Sequence, residues 1–454
     1  MSIIVAVVAF VVAIGILIAV HEWGHFLVAR ALGIKVLKFS IGFGRPLWRR
    51  VSGRDQTEYV LAKIPIGGYV KLLDEREGPV DPAEQHRAFN RQPVWSRMAV
   101  LVAGPAFNFL FAVVAYWVIF MAGIPGIRPV IGAVEPATYA ADAGVLAGDE
   151  IVAVAGRETP TWENAVIAII GDMLTDGRIE LELKNEDGIT RSVNLDVRGA
   201  ESSLTEPGAL LTGLGVKPYV PVIPPVIAEV TEDGAAARAG FEAGDRILSV
   251  DDVPVANWNA WAEYVRSRPD QEMFVRVQRG RQQFDLRVVV GAVEEDGRRI
   301  GRFGAAAEYP RDLFERHYTE QRYGPVAAVG VATAKTWNMS TLTLRMLWKM
   351  VLGEVSVRNI SGPINIAQYA GQAASFGLVS FLSFLAVVSI SLGIINLLPI
   401  PMLDGGQLVY QVAELVKGSP VSDRTQILGQ QVGIVALILI MSLAIYNDIA
   451  RLFG

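Results

Sequence analysis

Two histidines and a glutamate near the start of the chain have the residue types and the spacing of a metal-dependent hydrolase. The segment His21-Glu22-Trp23-Gly24-His25 is an H-E-x-x-H motif. On a helix, residues i and i+4 lie on one face, so both imidazoles can bind one metal ion while the glutamate activates a water molecule. The chain has only four histidines, so a chance occurrence of this spacing is improbable. The motif predicts a catalytic metal site.

A third ligand must come from elsewhere in the chain, because a catalytic zinc ion usually has three protein ligands and one open position. The chain has no cysteine, and His86 and His317 lie in polar segments. Asp404 is the best candidate, since two prolines precede it and two glycines follow it, which favours an irregular backbone. Such backbone at membrane depth lines an enclosed cavity. The alternative is that Asp404 only caps a helix beginning at Gly405.

Four long apolar runs must position these residues. Hydrophobic residues make up 52% of the 454 residues, and the mean hydropathy is +0.36, which is unusual for a soluble chain. The first run leads directly into the histidine motif and has no basic residue before Arg30, so we interpret it as a retained helix rather than a signal peptide. We predict four transmembrane helices, each near or above the roughly 20 residues that cross a bilayer, from the uncharged runs 3–20, 98–127, 376–398 and 427–447.

The distribution of charge predicts the orientation. Lysines and arginines are frequent near both ends of the segment between the first two runs, and short basic loops remain cytoplasmic. The long segment 128–375 then lies on the opposite side, and 399–426 returns to the cytoplasm. The metal site, at the end of the first run, is expected near the cytoplasmic face. The net charge of −5 gives no sign of nucleic-acid binding.

An internal repeat occupies much of the long segment. The pattern Ala-Gly-x3-Gly-Asp-x-Ile occurs at 143–151 and at 239–247, and Trp162 and Trp258 follow the two copies. Short apolar strands with Gly-Asp turns predict two β-rich modules, because glycine supplies positive φ and aspartate accepts from nearby N–H groups. The pattern resembles tandem PDZ domains of bacterial proteases, which bind extended peptides at a sheet edge. The alternative is that the modules are spacers or a steric plug.

These motifs together resemble the site-2 protease family of intramembrane zinc metalloproteases, and the layout resembles its RseP (regulator of sigma-E protease) branch. The resemblance spans almost the whole chain and includes the N-x-x-P-x-P-x-L-D-G-G pattern at 396–406. It implies that His21, His25 and Asp404 bind Zn²⁺ and that Glu22 is the catalytic base. Further similar segments are 39–44, 66–71, 104–108 and 361–363, and one departure is Gln407, where some relatives carry histidine.

The resemblance also implies how a substrate is handled. Gly67, Gly68, Tyr69 and Val70 are similar to a membrane-associated β element whose edge holds the substrate as an added strand, and Asn396 matches a position implicated in substrate handling. The implied function is regulated intramembrane proteolysis of single-pass membrane proteins, such as anti-sigma factors or remnant signal peptides, after a first cleavage. The PDZ pair would act as a size filter that can also take peptide C-termini. The implied location is the bacterial inner membrane, with the modules periplasmic.

A rival interpretation is a non-catalytic membrane adaptor that collects exposed C-termini through its PDZ pair. Such a protein would normally lack the glutamate or a ligand, and this chain retains all four residues. The predicted fold is a multi-pass α-helical membrane protein with four transmembrane helices and two inserted β-rich PDZ-like domains. Its expected divisions are transmembrane helix 1 with the motif (1–32), a cytoplasmic loop with the β element (33–97), transmembrane helix 2 (98–127), PDZ-like domains 1 (128–220) and 2 (221–310), an amphipathic helical segment (311–375), transmembrane helix 3 with the LDGG motif (376–404), a cytoplasmic connection (405–426) and transmembrane helix 4 (427–454).

Overall fold

The structure is a computed structural model that describes residues 3–295, 298–308 and 317–453. Apart from short 3-10 turns, its helices are α1 Ile3–Ala31, α2 Val94–Ala122, α3 Tyr139–Asp142, α4 Trp162–Asp176, α5 Glu201–Leu204, α6 Ala209–Leu214, α7 Ala235–Arg238, α8 Trp258–Arg266, α9 Pro325–Val351, α10 Pro363–Ser375, α11 Leu378–Leu397, α12 Asp404–Lys417 and α13 Asp423–Phe453. Its strands are β1 Val36–Ser52, β2 Thr57–Leu72, β3 Ile124–Ile127, β4 Ile131–Val134, β5 Glu150–Val154, β6 Arg157–Glu158, β7 Arg178–Lys184, β8 Thr190–Asp196, β9 Val216–Pro218, β10 Ile227–Val230, β11 Arg246–Val250, β12 Val253–Pro254, β13 Glu272–Arg279, β14 Gln282–Val289, β15 Gly291–Glu295, β16 Arg298–Arg302, β17 Ala305–Ala307 and β18 Tyr318–Gln321.

Four helices of the described ranges are long and apolar enough to cross a membrane. They are α1, α2, α11 and the stretch Arg424–Arg451 of α13, and they coincide with the four predicted runs. Such runs form helices in lipid because every backbone N–H and C=O group must then be bonded within the segment. Some ends differ by a few residues from the expected divisions, since α2 spans Val94–Ala122 rather than 98–127 and α13 begins at Asp423 rather than at 427. Helix α11 ends at Leu397, just before the two prolines that were expected to interrupt it.

Helix α2 lies at the centre of the helical part and packs against α1, α9, α11 and α12. Its C-terminal half shares a core with α9 and α11, in which small residues such as Ala112, Ala115 and Ala332 are buried. Small side chains let helix backbones approach closely, which is how helices pack where lipid supplies no hydrophobic driving force. Helix α13 is peripheral, because only 11% of its apolar window is buried inside the protein.

Helix α13 is fastened to α10 by two neighbouring polar side chains. The buried carboxylate of Asp448 accepts hydrogen bonds from the backbone N–H groups of Gly362, Ile364 and Asn365, at 2.8–3.1 Å. Asn447 donates to two backbone carbonyls just before α10. A carboxylate at a helix N-terminus satisfies N–H groups that have no partner within the helix. The cap therefore joins α13 to the segment that precedes α11.

Strands β1 and β2 form a strongly bent hairpin beside α1. The first half of β1 is paired on both of its sides, so that Phe39 faces Val70 across one side and Tyr59 across the other. The second half of β1 pairs again with the beginning of β2. Residues 68–72 consequently form one edge of this curved sheet.

The chain between α2 and α9 contains two β-rich modules with the same strand order. Module 1 (131–218) has the sheets β4-β9 and β6-β5-β7-β8, and module 2 (227–307) has β10-β17 and β12-β11-β13-β14. Each module has its own apolar core, which includes the isoleucine of the repeated pattern, Ile151 or Ile247. The modules thus occur where the repeat predicts them.

The repeated Gly-Asp turn is held by a buried ion pair in each module. Each aspartate accepts from the backbone N–H three residues before it, and the pattern's glycines have φ between 78° and 91°. Asp149 pairs with Arg191 and Asp245 pairs with Arg279, and each arginine also donates to the carbonyl of the first glycine. Arg191 extends from β8, whereas Arg279 is the last residue of β13. The same interaction is therefore supplied from different strands.

The described part of the predicted amphipathic segment, 317–375, contains a short strand and two long helices. Strand β18 pairs with β3 directly after α2, and α9 and α10 follow. Four small residues of α9 are buried at four-residue intervals, whereas Trp337 and Trp348 are exposed, as an amphipathic helix requires. Positions 311–316 of the expected helical segment lie outside the described residues, and Tyr318–Gln321 form a strand rather than helix. The expected connection 405–426 contains most of helix α12.

Candidate metal centre

Helix α1 carries both histidines of the motif on the face that contacts α2. His21 and His25 are 9% and 8% exposed. Their Nε2 atoms are 3.2 Å apart, because one turn of helix separates two residues at i and i+4. The two imidazoles therefore converge on one point.

Asp404 reaches the same point from a distant part of the chain. After α11 the backbone runs irregularly and enters α12 at Asp404. The Oδ2 atom of Asp404 lies 3.2 Å from Nε2 of His21 and 3.4 Å from Nε2 of His25. The alternative interpretation as a helix cap does not describe this side chain, because Leu403 occupies the N-cap position and no side-chain hydrogen bond caps α12.

The two glycines after Asp404 allow this close return of the chain. A Cβ atom at Gly405 would lie 2.3 Å from the carbonyl oxygen of Leu397, and one at Gly406 would lie 2.2 Å from that of Ile400. Both distances are far inside van der Waals contact with backbone atoms that cannot move aside. The LDGG pattern thus places the carboxylate beside the histidines because only glycine fits behind it.

The three ligand atoms have the spacing of a tetrahedral zinc site. With zinc–ligand distances of about 2.0–2.2 Å, tetrahedral ligand atoms lie about 3.3–3.5 Å from one another, and the three distances here are 3.2, 3.2 and 3.4 Å. The Oδ2 atom of Asp404 is buried and has no hydrogen-bond partner within the described chain. Two imidazoles and a carboxylate form a donor set that zinc accepts. The residues present therefore fit the ion.

Groups on α2 orient the two imidazoles. Nδ1 of His25 lies 2.7 Å from the carbonyl oxygen of Val100, so Nδ1 carries the proton and Nε2 is free to bind a metal. Nδ1 of His21 lies 3.2 Å from Nδ2 of Asn108, whose Oδ1 is buried without a partner among the described residues. Amide O and N positions are assigned from the hydrogen bonds they form. The reverse assignment gives Oδ1 of Asn108 a donor and leaves Nε2 of His21 free for the metal.

Helices α1 and α2 approach closely at the centre through two glycines. A Cβ atom at Gly24 would lie 2.4 Å from the carbonyl oxygen of Ala103. One at Gly104 would lie 2.3 Å from Nε2 of His25 and 2.7 Å from Cε1 of His21. The absence of a side chain at Gly104 therefore leaves room for the metal-binding face of both rings.

A buried ion pair fixes the helix that carries Asp404. Arg97, at the start of α2, donates two hydrogen bonds to the Glu414 carboxylate of α12, at 2.6 and 3.1 Å. The side chains are only 10% and 16% exposed, so the pair is shielded from water. Bidentate arginine–carboxylate pairs fix orientation as well as distance. The pair connects α12 to the same helix that orients the histidines.

Glu22 lies half-buried between the metal centre and the edge of the β1–β2 sheet. A Cβ atom at Gly68 would lie 3.0 Å from Cγ of Glu22 and 2.8 Å from the carbonyl oxygen of Ser40. The strand edge therefore runs directly beside Glu22, and glycine at 68 permits the close approach.

The other predicted substrate residues lie on the same hairpin or at the end of α11. Gly67 has φ of 101°, and Tyr69 stacks on Phe43 with ring centroids 6.0 Å apart. The nearby Tyr69 and the charge of Glu58 hold the pKa of Lys38, on the adjacent strand, above its usual range. Asn396 is half-buried in the last turn of α11, and its side chain forms no hydrogen bond within the described part of the chain.

Sequence reasoning assigned no role to Asn108, Gly104 or the pair Arg97–Glu414. One signal was present, because a polar Asn108 inside an apolar run is costly in lipid and marks a functional contact. Gly104 gave a weaker signal, since small residues mark helix contacts without naming the partner. The ion pair joins residues 317 positions apart, and no local pattern predicts such a contact.

Comparison with known proteins identifies the family. Residues 9–440 match the family described as Peptidase family M50. The chain is 42% identical over 447 residues to the Regulator of sigma E protease of Salmonella typhi, which covers 98% of both chains. It is also 42% identical over 446 residues to the Regulator of sigma-E protease RseP of Escherichia coli, covering 98% of both, and 42% identical over 455 residues to the Protease RseP of Yersinia pestis, covering 100% of both.

The chain belongs to peptidase family M50. M50 peptidases are zinc-dependent membrane proteases, so this M50 peptidase is a zinc-dependent intramembrane metalloendopeptidase, and the predicted family is confirmed.

Two solved structures are weakly similar to short parts of the chain. A PDZ domain of the SdrC-like protein from Listeria monocytogenes has a TM-score of 0.18 and 19% identity, covering 21% of this chain and 96% of that one. The HtrA-type protease AlgW with a decapeptide has a TM-score of 0.14 and 19% identity, covering 25% of this chain and 49% of that one. Scores this low carry no argument about the modules.

Proposed function

We propose that His21, His25 and Asp404 hold the zinc ion of this M50 peptidase and that Glu22 is its catalytic base. The observation that carries the proposal is the triangle of ligand atoms with sides of 3.2, 3.2 and 3.4 Å beside Glu22. Zinc supplies a Lewis acid that activates water and polarises a peptide carbonyl. The adaptor interpretation is not favoured, because the family and the named relatives are proteases.

Other residues of the chain transfer protons, orient the imidazoles and exclude water. Glu22 accepts a proton from the attacking water and returns it to the departing amine, which is general acid–base catalysis by one carboxylate. Val100 and Asn108 keep the imidazoles in the orientation that presents Nε2. The close contact of α1 and α2 at Gly24 and Gly104 keeps bulk water away from the two histidine side chains.

The substrate is proposed to bind as an added strand along residues 67–71. A transmembrane helix hides its peptide bonds in its own hydrogen bonds, so it must unwind before cleavage. An exposed strand edge replaces those lost bonds, and the edge at 68–72 lies beside Glu22. Asn396 is proposed to contact the unwound segment from the end of α11.

The proposed substrates are single-pass membrane proteins of the anti-sigma factor type, or remnant signal peptides, that a first protease has already shortened. Relatives named regulators of sigma-E protease support this class. The proposed location is the bacterial inner membrane, with the centre near the cytoplasmic face and both modules periplasmic, as the basic segment 30–97 indicates.

The two modules are proposed to be PDZ domains that act as a size filter and take peptide C-termini. A groove of about 330 Å³ beside β17 of module 2 supports a peptide site, because it lies between that strand and α8 and is lined by Trp258, Trp261, Phe303 and Gly304. Deletion of both modules should let the protease cut a substrate with a bulky external domain. Unchanged rejection of that substrate would refute the filter.

The test of the centre is cleavage of a truncated single-pass substrate by purified protein in detergent, for wild type and for Glu22→Gln. We expect wild type to cut, Glu22→Gln not to cut, and both to contain one zinc ion. Equal cleavage by both proteins would mean that another group is the base. Loss of zinc in Glu22→Gln would mean that Glu22 is a ligand.

The test of the strand edge is Gly68→Ala beside Gly78→Ala. Gly78 lies in the same segment, and a Cβ atom there meets no described heavy atom within 4 Å. Gly68→Ala and Gly67→Val should slow cleavage while zinc stays bound, and Gly78→Ala should behave as wild type. Equal rates for all of them would exclude the added-strand role.

A further inference from the structure

A cavity of about 440 Å³ lies apart from the metal centre, at the opposite end of the helical part. Its membrane-facing walls come from the last turns of α2 and the first turns of α11. Tyr116 of α2 lies two turns of helix, about 12 Å, beyond Asn108. Helices α2 and α11 are antiparallel neighbours, so the C-terminal end of α2 and the N-terminal end of α11 lie at the same face of the membrane. The cavity lies at that face.

Two residues that line this cavity carry buried donors without partners in the described ranges. Tyr116 is 2% exposed and lines the cavity, and its hydroxyl has no hydrogen-bond partner in the described ranges. The Nε1–H of Trp162 is likewise buried and unpaired there. Buried polar side-chain atoms are normally satisfied, and an unsatisfied one calls for a bound group. Two such donors on one cavity point to a ligand with acceptor oxygens.

The cavity also carries one positive and one negative charge. Lys335 of α9 and Glu163 of α4 form an ion pair at 2.9 Å on its wall. Helix α4 has 15 residues and begins at Trp162, so the positive end of its dipole lies at the cavity and favours an anionic group. The Glu163 carboxylate, which is largely exposed, is available to a cationic group at the mouth.

The lining changes from apolar to polar across the cavity. Ile119, Phe120 and Val379 line it from the membrane helices, whereas Trp162, Glu163, Asn164 and Gln321 line it from module 1 and strand β18. A ligand that fits this order has an apolar part toward the bilayer and a charged part toward water. A phospholipid at the membrane surface has this order.

We propose that this cavity binds the headgroup of one phosphatidylethanolamine molecule. The phosphate accepts hydrogen bonds from the Tyr116 hydroxyl, from Nε1–H of Trp162 and from Lys335, and the ammonium donates to Glu163. A choline headgroup has no N–H to donate to Glu163. An anionic glycerol headgroup has no ammonium group to donate to Glu163, and its net negative charge would lie beside that carboxylate.

The experiment titrates delipidated full-length protein in detergent with phosphatidylethanolamine, phosphatidylcholine or phosphatidylglycerol of the same acyl chains, and with inorganic phosphate. Native mass spectrometry counts the bound molecules. We expect one phosphatidylethanolamine, bound about tenfold more tightly than phosphatidylcholine, and no binding of phosphate alone. Tyr116→Phe should weaken that lipid about fivefold, the usual effect of one lost hydrogen bond. Glu163→Gln should remove the preference over phosphatidylcholine.

Matched variants control for general damage. Tyr446→Phe removes a hydroxyl from the lipid-exposed helix α13 and should leave lipid binding unchanged. Ser383→Leu fills the cavity from α11 and should abolish the single tight site, while zinc content reports that each variant is folded. Equal binding of all three lipids, or unchanged binding in both Tyr116→Phe and Ser383→Leu, would overturn the proposal, and so would tighter binding of phosphatidylglycerol.

Discussion

The proposed metal centre and the two modules hold their buried polar groups in different ways. In the modules, one aspartate–arginine pair recurs although the arginine comes from β8 in module 1 and from β13 in module 2. In the metal centre, the positions are fixed by helix spacing and by glycines at 104, 405 and 406, where any side chain would overlap a ring or the backbone.

This difference shows which contacts tolerate rearrangement. A sheet presents neighbouring strands about 4.8 Å apart, so either of two strands can bring an arginine to the same carboxylate. A zinc ion with tetrahedral coordination requires each ligand atom to lie within a few tenths of an ångström of its ideal distance from the metal. The modules should therefore accept relocated partners, and the metal centre should not.

The largest effect is expected for Asp404→Ala. Loss of an outer-shell partner alone weakens metal binding by about 10- to 100-fold, so loss of a ligand should exceed that and abolish cleavage. Atomic absorption measures the zinc content of the variant, and cleavage of a single-pass substrate measures its activity. Asp81→Ala changes an exposed carboxylate and should match wild type. Full zinc content in Asp404→Ala would mean that the third ligand lies elsewhere.

The next effect is expected for Gly104→Ala beside Gly15→Ala. The new Cβ atom at 104 overlaps both rings, which should cost about 1–3 kcal/mol of stability and reduce zinc content and cleavage at least tenfold. A Cβ atom at Gly15, on α1, meets no heavy atom of the described chain within 4 Å. Thermal unfolding and zinc analysis compare the two. Similar behaviour of both variants would show that the close contact at 104 has no role.

A smaller effect is expected in module 1 for Arg191→Gln. The carboxylate of Asp149 is 2% exposed, and loss of its partner should cost about 1–3 kcal/mol. Asn185 lies just before the β7–β8 turn, at the position that Arg279 occupies before the β13–β14 turn of module 2. Adding Asn185→Arg to Arg191→Gln should therefore recover about half of the lost stability. Hydrogen exchange of β5 in the full chain measures it. No recovery would mean that the two modules are less interchangeable than their strand order indicates.

The smallest effect is the acid response of module 2. Burial acts to raise the pKa of Asp245, but the hydrogen bonds from Arg279 and from the Glu242 N–H outweigh it and hold the pKa below its usual 3.8. Because the pKa falls on folding, the pair stabilises the module above about pH 4 and loses this contribution as the pH falls through the folded value. Pepsin cleavage within module 2 should rise below that pH, and Asp245→Asn should make it less dependent on pH. Identical profiles would contradict this.

Sequence predicted the parts of the molecule that depend on local spacing. The i, i+4 histidines and the four apolar runs follow from helix geometry, and the repeated Gly-Asp pattern follows from turn chemistry. Contacts between distant segments could not be predicted, since neither the pair Arg97–Glu414 nor the arginines of the modules have a pattern of their own. The end of α11 at Leu397 agrees with the two prolines that follow it, whereas the start of α2 at Val94 was missed because an uncharged run does not show where its helix begins.

The cap that Asp448 places on α10 has a consequence for the order in which the protein is made. The N–H groups at 362–365 are synthesised 83 to 86 residues before the carboxylate that accepts from them. They have no such acceptor until the last membrane helix has been inserted. A chain arrested before residue 440 should therefore show fast amide exchange at 362–365, and the protease would complete its membrane domain only with its final helix.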